Sequence, residues 1–465
     1  MNYRKVEEAD IAFFRSLLPG RVFAGEEIST DYDHDEMTEY GHYMPEAVLQ
    51  VLSAEEVSAV LRYCNEHLIP VTPRGAGTGL CGGCVALYGG IVLSTEKMNH
   101  VLEVDRENMT ATLEPGVLLL EFPKSLEGTG LFYPPDPGEK TATMGGNAMT
   151  NAGGMRAVRY GVTRDYVLGM QVVLADGEIM ELGGKNVKTS SGYSLLDLMI
   201  GSEGTLAVLT RLTVKLIPEP PVNLSVLLPF DEVHRCIRAV PAILSCGCEP
   251  TAVEFMERDV IGCAETYLGK AFPDVSAPAY LLVRLDGSSR ESLQPGLDRL
   301  TDLAMEMGAR DVLLADTEER KEAIWSARGA FLEAIKGSTS TMDECDVVVP
   351  RSRIPDFLSR MVACSGEHGI RILSFGHAGD GNLHIYVCRD ALDDAQWQEK
   401  VGAVMQELYA FAEDLEGNVS GEHGIGHAKK AFLRRSLGDT QIRLMQGIKQ
   451  VFDPNLILNP GKVCM

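Results

Sequence analysis

A glycine-rich run at residues 73–83 constrains this chain more than any other stretch, because it closely follows a short apolar segment at residues 68–71. Consecutive backbone N–H groups can surround an anion only where no Cβ blocks the approach and a positive φ costs little. The run therefore predicts a phosphate or pyrophosphate cradle with Arg74 as a nearby positive charge; a flexible surface loop is the alternative. No Gly-Lys-Ser/Thr closes it as in a P-loop, and the strand-like residues 91–94 follow where a Rossmann fingerprint requires a helix.

Two further runs of small residues follow. Residues 134–154 combine Pro, Gly, Thr, Met and Asn with few charges, and residues 200–208 read Ile-Gly-Ser-Glu-Gly-Thr-Leu-Ala-Val. Such stretches can lie against a large ligand and offer backbone groups, Thr hydroxyls and Asn amides as hydrogen-bond partners. A linker has a similar glycine content, but it favours Ser and charge over paired Asn and Met.

In this order, the three runs resemble the flavin-binding domain of the vanillyl-alcohol-oxidase and p-cresol-methylhydroxylase superfamily. More narrowly, they resemble the branch of glycolate oxidase large subunits and FAD-dependent D-lactate dehydrogenases, over nearly the whole chain. Thr78 stands where some members carry a histidine bonded to the flavin, so the resemblance implies non-covalent FAD. The residues that it assigns to FAD binding by position are Arg74, Gly75, Ala76, Gly77, Thr78, Gly79, Leu80, Asp136, Thr143, Gly146, Asn147, Asn151, Gly154, Glu203, Val208 and Asn459.

The length of 465 residues exceeds the size at which a single core stops growing, so we expect more than one domain. Prolines at positions 218, 220 and 221 mark the best boundary, because they can continue neither a helix nor a central strand. Before it, a capped helix at residues 54–67 and a hairpin at 170–182 are predicted. Beyond it, strands and helices alternate up to a helix at 318–336, and a helical segment follows at 398–452.

This pattern predicts an α+β protein in which helices cover an open sheet. With the resemblance, we expect a p-cresol-methylhydroxylase-type FAD-binding domain at residues 1–219 and an α+β cap (substrate) domain with an open antiparallel sheet at 222–415. A helical C-terminal segment at 416–465 is expected to return to the flavin site.

Lys and Arg number 42 and Asp and Glu number 66, which gives a net charge of −24. This charge argues against nucleic acid and anionic membrane surfaces as partners, and a carboxylate substrate would need a local positive site. The N-terminus lacks the apolar core of a signal peptide, and no stretch approaches the ~20 apolar residues that span a bilayer. The 11 cysteines are typical of free thiols in a reducing cytoplasm, so we expect a cytoplasmic protein without a transmembrane segment.

Cys81 and Cys84 have the C-x-x-C spacing of redox and metal motifs. They lie inside the first glycine run rather than at a helix start, and no second pair completes a set of four ligands. We interpret them as small packing residues, with a redox or metal role as the alternative.

Three histidines and a glutamate in the second half lie in glycine-flanked turns. In residues 375–385 a Gly-Asp-Gly turn separates His377 from His384, and it can direct both imidazoles to one point. Residues 420–426, Ser-Gly-Glu-His-Gly-Ile-Gly, add Glu422 and His423. Two His and one Glu are a common ligand set for a divalent metal, and satisfied core or surface histidines are the ordinary alternative.

In metal-dependent members of the family, the matching residues have defined roles. The resemblance implies that His377, His384 and Glu422 bind a divalent ion (Fe, Zn or Mn) that chelates the hydroxyl and carboxylate of a 2-hydroxy acid. It implies that His423 is the catalytic base and that the C2 hydride passes to flavin N5. It also implies that Arg328 pairs with the substrate carboxylate, with a surface helix arginine as the alternative.

Two positions depart from the 2-hydroxyglutarate branch of the family. Glu344 stands where that branch has a lysine that helps to bind the distal carboxylate, and Tyr386 stands where it has Asn. An acidic side chain repels a distal carboxylate. We therefore expect a small monocarboxylate substrate, D-lactate before glycolate.

No NAD fingerprint, haem motif or iron–sulfur cysteine spacing occurs in the sequence, so electrons from the reduced flavin would pass to another chain. The resemblance implies an electron-transferring flavoprotein, in some anaerobic relatives within an electron-bifurcating scheme; an iron–sulfur subunit is the alternative. Other interpretations are a flavin enzyme with a different substrate, a flavin-binding accessory subunit and a flavin-free metallohydrolase. The accessory subunit leaves the histidines unexplained, and the metallohydrolase leaves the glycine runs unexplained.

Overall fold

The computed structural model describes residues 3–465, which divide into two compact units. Unit 1 comprises residues 3–153, 162–219 and 422–465, and unit 2 comprises residues 154–161 and 220–421. The main division falls between Glu219 and Pro220, inside the proline cluster. Unit 1 is therefore discontinuous along the chain.

Two sheets organise unit 1, and elements are numbered along the whole chain. The first sheet has the order β1-β2-β4-β3, with β2, β4 and β3 parallel, and contains β1 (Val22–Ala24), β2 (Ala47–Gln50), β3 (Val71–Arg74) and β4 (Ile91–Ser94). The second sheet is antiparallel with the order β5-β6-β10-β8-β9, and contains β5 (Val101–Asp105), β6 (Thr110–Leu113), β8 (Val167–Val173), β9 (Ile179–Gly183) and β10 (Val208–Lys215). A separate pair joins β7 (Leu131–Phe132) to β11 (Ile217–Pro218).

The helices of unit 1 are α1 (Glu8–Leu17), α2 (Ala54–His67), α3 (Met144–Thr150), α5 (Leu195–Met199) and α13 (Lys430–Phe452), which is kinked at Gly438. α2 begins as predicted, since the Ser53 hydroxyl accepts a hydrogen bond from the Glu56 N–H at 3.3 Å. Val57 and Leu61 lie on its buried face, in one hydrophobic cluster with the apolar residues of β3 and β4. Burial of this face fixes the strand that leads into the first glycine run.

Unit 2 is built on one open antiparallel sheet with the order β15-β12-β14-β13-β17-β18-β16. Its strands are β12 (Val222–Phe230), β13 (Ala252–Glu257), β14 (Ala279–Gly287), β15 (Leu313–Ala315), β16 (Met342–Val348), β17 (Arg371–His377) and β18 (Asn382–Cys388). Its helices are α4 (Ala157–Tyr160), α6 (Val233–Ser245), α7 (Arg258–Leu268), α8 (Arg290–Glu306), α9 (Glu318–Gly329), α10 (Phe331–Ser338), α11 (Ile354–His368) and α12 (Asp394–Asp414). The expected α+β class with an open antiparallel sheet is confirmed.

The short segment at residues 154–161 packs in unit 2, although our domain boundaries placed it with the first half of the chain. Arg159 Nη1 donates hydrogen bonds to the carbonyl oxygens of Glu249 (3.1 Å) and Asp286 (3.0 Å). The Tyr160 hydroxyl donates to Asp286 Oδ2 at 3.1 Å. These partners are distant in sequence, which is why local patterns did not predict them.

Two predicted helical segments were wrong in their extent. The predicted helix at 318–336 consists of α9 and α10, which are separated at Ala330. The predicted segment at 398–452 consists of α12 and α13 with a loop at 415–429, where Gly424 and Gly426 have φ values of 84° and 51°. Right-handed helices exclude such angles. Over residues 3–465, no helix combines the length and the apolar character that a membrane span requires.

Candidate functional site

The first glycine run connects β3 to β4 in unit 1, and its backbone is closely packed. Gly77 has a φ of +81°, and a Cβ at this position would collide with the Arg74 guanidinium. A Cβ on Gly75 would collide with the Thr143 hydroxyl. Both positions therefore require glycine, as expected where backbone N–H groups form an anion cradle.

Arg74 is buried beside this run. Its Nη1 donates a hydrogen bond to the His34 carbonyl oxygen at 2.8 Å, and its Nη2 donates to the Asp31 carbonyl oxygen at 2.7 Å. The guanidinium carbon lies 5.5 Å from the centre of the Tyr32 ring. Arg74 thus holds residues 31–34 against the glycine run and keeps its positive charge next to it.

The middle of the second run forms helix α3, which its small residues did not predict. Thr143 caps the helix, because its Oγ1 accepts a hydrogen bond from the Gly146 N–H at 3.1 Å. Asn151 ends it with a φ of 53°, and its Oδ1 accepts from the Arg164 N–H at 3.0 Å. Three of the predicted FAD-binding residues therefore shape the ends of one short helix.

The third run and the C-terminal tail meet at Glu203. The Glu203 carboxylate accepts hydrogen bonds from the backbone N–H groups of Ile425 (2.7 Å) and Gly426 (2.8 Å). Asn459 Nδ2 donates to the carbonyl oxygens of Glu203 (2.7 Å) and Gly83 (2.8 Å). The tail after α13 thus returns to two of the glycine runs within unit 1.

The other predicted FAD-binding residues are spread over both units. Ala76, Thr78, Gly79 and Leu80 lie between β3 and β4, Val208 begins β10, Asp136 accepts a hydrogen bond from Lys140 Nζ at 2.5 Å, and Gly154 is the first residue of unit 2. Among the described residues, Asn147 Nδ2, Ser202 Oγ and Asn459 Oδ1 are buried without a hydrogen-bond partner. Buried polar atoms of this kind, one from the second run, one from the third run and one from the tail, fit a polar cofactor that bonds to them.

Two buried charged groups beside the first run were missed from the sequence. Asp35 Oδ2 accepts a hydrogen bond from the Gly82 N–H at 2.6 Å, and burial raises the pKa of this carboxyl to about 6. Lys462 Nζ donates to the Val85 carbonyl oxygen at 2.5 Å, and burial lowers the pKa of this amine to about 8. Both residues fix the far end of the loop. Asp35 and Lys462 were not predicted because both are distant from the first glycine run in sequence. For Lys462, the presence of a lysine in an apolar tail was a visible signal.

In unit 2, His377 and His384 face each other across a hairpin. His377 ends β17 and is paired with Asn382, the first residue of β18. Since side chains alternate along a strand, His384, two residues after Asn382, lies on the same face of the sheet as His377. The two ring centres are 5.1 Å apart at an interplanar angle of 89°.

A buried carboxylate orients His377. Its Nδ1 lies 2.9 Å from Glu254 Oε1, and Arg328 Nη2 lies 2.6 Å from Glu254 Oε2. Burial alone would raise the pKa of Glu254, but the interactions with His377 and Arg328 outweigh it, and this pKa lies below its usual value. The surface alternative for Arg328 is wrong: the side chain is buried, and its guanidinium carbon lies 4.6 Å from the centre of the Phe375 ring.

A second buried carboxylate lies beside His384. Asp346 Oδ1 is 3.6 Å from His384 Nδ1 and accepts a hydrogen bond from Asn382 Nδ2 at 2.7 Å. Its Oδ2 accepts from the Ser420 hydroxyl and the Gly421 N–H, both at 2.9 Å. Asp346 and Glu254 were missed from the sequence. Glu254 lies between two apolar residues of β13, which was a visible signal, whereas Asp346 shares β16 with two other acidic residues and did not stand out.

Glu422 and His423 are the first residues of the last segment of unit 1, and they directly follow Gly421 in the chain. Their side chains are 12% and 14% exposed, with Glu422 Oε1 3.8 Å from His423 Nε2. Within unit 1, Glu422 lies over the second glycine run, where a Cβ on Gly153 would be 2.6 Å from Glu422 Oε2. The structure thus brings the two predicted ligand histidines together in unit 2 and places Glu422 and His423 beside the glycine runs of unit 1.

Residues 45–183 match the family described as FAD binding domain, and residues 219–463 match the family described as FAD linked oxidases, C-terminal domain. The chain is 50% identical to a D-lactate dehydrogenase of Anaerostipes hadrus, over 99% of this chain and 98% of that one. It is 39% identical to glycolate oxidase subunit GlcD of Bacillus subtilis, over 93% of this chain and 91% of that one.

Among solved structures, p-cresol methylhydroxylase matches with a TM-score of 0.81 at 19% identity, over 98% of this chain and 96% of that one. An alkyldihydroxyacetonephosphate synthase matches with a TM-score of 0.76 at 18% identity, over 99% and 87%. At these identities the likeness shows the fold alone, and it confirms the expected p-cresol-methylhydroxylase type. The sequence matches go further: this chain belongs to the family of FAD-linked oxidases and is an oxidoreductase that uses FAD.

Proposed function

We propose that this chain oxidises a small D-2-hydroxy acid, D-lactate first and glycolate next, to the 2-oxo acid. The observation that carries the proposal is the pair His377 and His384, whose Nδ1 atoms each lie beside a buried carboxylate. The relatives named D-lactate dehydrogenase and glycolate oxidase subunit support the same class of substrate.

His377, His384 and Glu422 would hold the divalent ion, which is Fe, Zn or Mn in this proposal. A histidine ligand usually turns its second ring nitrogen to a carboxylate, which fixes the tautomer and the ring orientation. Glu254 and Asp346 lie in this position next to the two histidines. Glu422 would be the third ligand, and it directly follows Gly421, whose N–H donates a hydrogen bond to Asp346 Oδ2.

His423 and Arg328 have separate roles in the proposed reaction. His423 takes the proton of the substrate hydroxyl, since an imidazole titrates near neutrality. Arg328, held by Glu254, supplies positive charge for the substrate carboxylate in a strongly acidic protein. When bound, FAD accepts the C2 hydride at N5, and the divalent ion lowers the pKa of the hydroxyl.

The substrate is small because the site already carries negative charge. Ligand atoms of Glu344, Asp346 and His384 lie within 4.8 Å of one another, and Glu344 is fully buried. Tyr386 is the residue paired with Glu344 across β16 and β18. A second substrate carboxylate would be repelled here, which favours D-lactate and glycolate over dicarboxylates.

FAD would be held non-covalently by the three glycine runs and Asn459, with Thr78 in the place of a covalent histidine. Electrons would pass to an electron-transferring flavoprotein in the cytoplasm, as part of an electron-bifurcating scheme, and an iron–sulfur subunit of a glycolate-oxidase-type complex is the second candidate. Recovery of the native complex followed by mass spectrometry distinguishes the two partners. Recovery of an iron–sulfur protein without a flavoprotein would reject the first.

The proposed function is tested on the purified protein by its visible spectrum, metal analysis and anaerobic mixing with D-lactate. We expect a flavin spectrum, about one equivalent of a divalent metal, and bleaching of the flavin by D-lactate but not by L-lactate or D-2-hydroxyglutarate. A bound flavin that no 2-hydroxy acid reduces would instead support a non-catalytic accessory subunit. A colourless protein with metal would support a metallohydrolase.

A further inference from the structure

A single residue joins three segments of unit 1. The two carboxylate oxygens of Glu203 accept hydrogen bonds from the backbone N–H groups of Ile425 and Gly426, at 2.7 and 2.8 Å. Its own N–H donates to the Met149 carbonyl oxygen of α3 at 2.8 Å, and its carbonyl oxygen accepts from Asn459 Nδ2 at 2.7 Å. Glu203 therefore connects α3, the C-terminal tail and the loop that precedes α13.

The contact with this loop leaves little freedom. Gly424 has a φ of +84°, and a Cβ there would be 3.0 Å from Glu203 Oε1. The Gly424 carbonyl oxygen also accepts a hydrogen bond from the Cys81 thiol at 3.2 Å. Glu203 itself has a φ of 53°, which few residues other than glycine adopt. The unusual backbone angle and the two carboxylate hydrogen bonds together indicate that Glu203 serves to hold this loop.

The two N–H groups that Glu203 binds belong to Ile425 and Gly426, two and three residues after the proposed base His423. We infer that Glu203 is a positioning residue, whose carboxylate fixes His423 relative to the flavin-binding runs of unit 1. This inference rests on the proposed function. The family resemblance assigns Glu203 to FAD binding, but both of its carboxylate oxygens are engaged by backbone N–H groups of the loop. A displacement of a catalytic group by about 1 Å can cost roughly 10²-fold in rate.

The first test replaces the carboxylate with an amide of the same size. Glu203→Gln puts an NH₂ donor against one of the two N–H groups, so the loop must shift. We expect the holoenzyme to retain its FAD, while flavin reduction by saturating D-lactate slows by roughly 10–100-fold. The matched control is Glu181→Gln in the same unit, an exposed carboxylate paired with Arg211, which should reduce its flavin at the normal rate. Loss of FAD from Glu203→Gln, or a normal rate, would overturn the inference.

A double-mutant cycle with His423→Ala separates positioning from other effects on rate. If Glu203 acts through His423, the double variant should be no slower than His423→Ala alone, because the group that Glu203 positions is already missing. If the two rate losses multiply, Glu203 acts elsewhere and the inference is wrong. A normal rate in His423→Ala would reject the proposed base, and with it the inference, so the two failures are distinguishable.

Gly424→Ala alters the same contact through the loop instead of through Glu203. It replaces Glu203→Gln in the double-mutant cycle if Glu203→Gln does not fold. The added Cβ should displace Glu203 Oε1. We expect FAD to remain bound, a slower flavin reduction, and again no further loss in combination with His423→Ala. A general loss of stability would slow the enzyme whether or not His423 is present. If the rate losses of Gly424→Ala and His423→Ala multiply, the inference is therefore contradicted.

Discussion

Asp346 Oδ2 accepts a hydrogen bond from the Gly421 N–H at 2.9 Å, while its Oδ1 lies 3.6 Å from His384 Nδ1. The Asp346 carboxylate therefore lies beside the proposed metal ligand His384 and also binds Gly421, the residue directly before the proposed ligand Glu422. We expect Asp346→Asn to weaken metal binding by roughly 10–100-fold, as is common when the carboxylate behind a ligand histidine is lost. Titration of the chelator-stripped protein with Zn²⁺ measures this, with Asp343→Asn on the same strand as the control. Equal affinities in the two variants would contradict the role of Asp346.

FAD is expected to be bound tightly but not covalently, because Thr78 has no nucleophile equivalent to the family histidine. Acid precipitation of the purified protein should therefore release all of the flavin into the supernatant. Flavin that remains in the pellet would show a covalent bond.

Chelation should abolish turnover and leave FAD bound, because the proposed ligand histidines and the glycine runs belong to different units. His377→Ala or His384→Ala should likewise lose the metal and keep the flavin. Metal analysis and the flavin spectrum of the same samples measure both effects. Full activity after verified removal of the metal would exclude its role.

His423→Ala should keep FAD and metal but slow flavin reduction by D-lactate by roughly 10²–10⁴-fold, the usual cost of losing a general base. Stopped-flow bleaching of the flavin gives this rate directly. His427→Ala, four residues along the same loop, offers a comparison, since burial lowers the pKa of His427 to about 4 and makes it a poor base at neutral pH. A near-normal rate in His423→Ala would remove His423 as the base.

Stability should fall as the pH rises through the titration of Glu257. Burial raises the pKa of this carboxyl to about 7 from its ordinary value of 4.5, so the folded protein holds a proton that the unfolded chain has lost. Between about pH 4.5 and 7, each rise in pH therefore favours the unfolded state at this residue. Glu257→Gln, which cannot ionise, should flatten the dependence. Urea unfolding of both proteins at several pH values measures it; parallel curves would contradict the prediction.

The local parts of the fold were predictable because their signals are local. The Ser53 cap with its apolar spacing specified α2, and the turn at residues 175–177 specified the hairpin of β8 and β9. The main division of the chain falls inside the proline cluster. Each of these features depends on a few adjacent residues.

The rest depends on contacts between distant residues, which spacing does not encode. Glu254 lies 123 residues before His377, and Asp346 lies 75 residues before Gly421. The surface alternative for Arg328 could be excluded only once its buried partner Glu254 was known. Two glycine-containing stretches of the predicted site behaved in opposite ways. The stretch before Asn151 forms helix α3, whereas the stretch at residues 415–429 interrupts the predicted helical segment between α12 and α13. Composition alone did not distinguish the two.

The division of unit 1 into three segments has a consequence for how the protein is made. Strand β3 carries the first glycine run, yet its Val71 pairs with Leu458, and Lys462 holds the Val85 carbonyl oxygen. A ribosome therefore releases almost all of unit 2 before the residues that complete the flavin-binding unit appear. Because domains tend to fold as they emerge, unit 2 can fold before the last segment of unit 1 completes the flavin-binding runs.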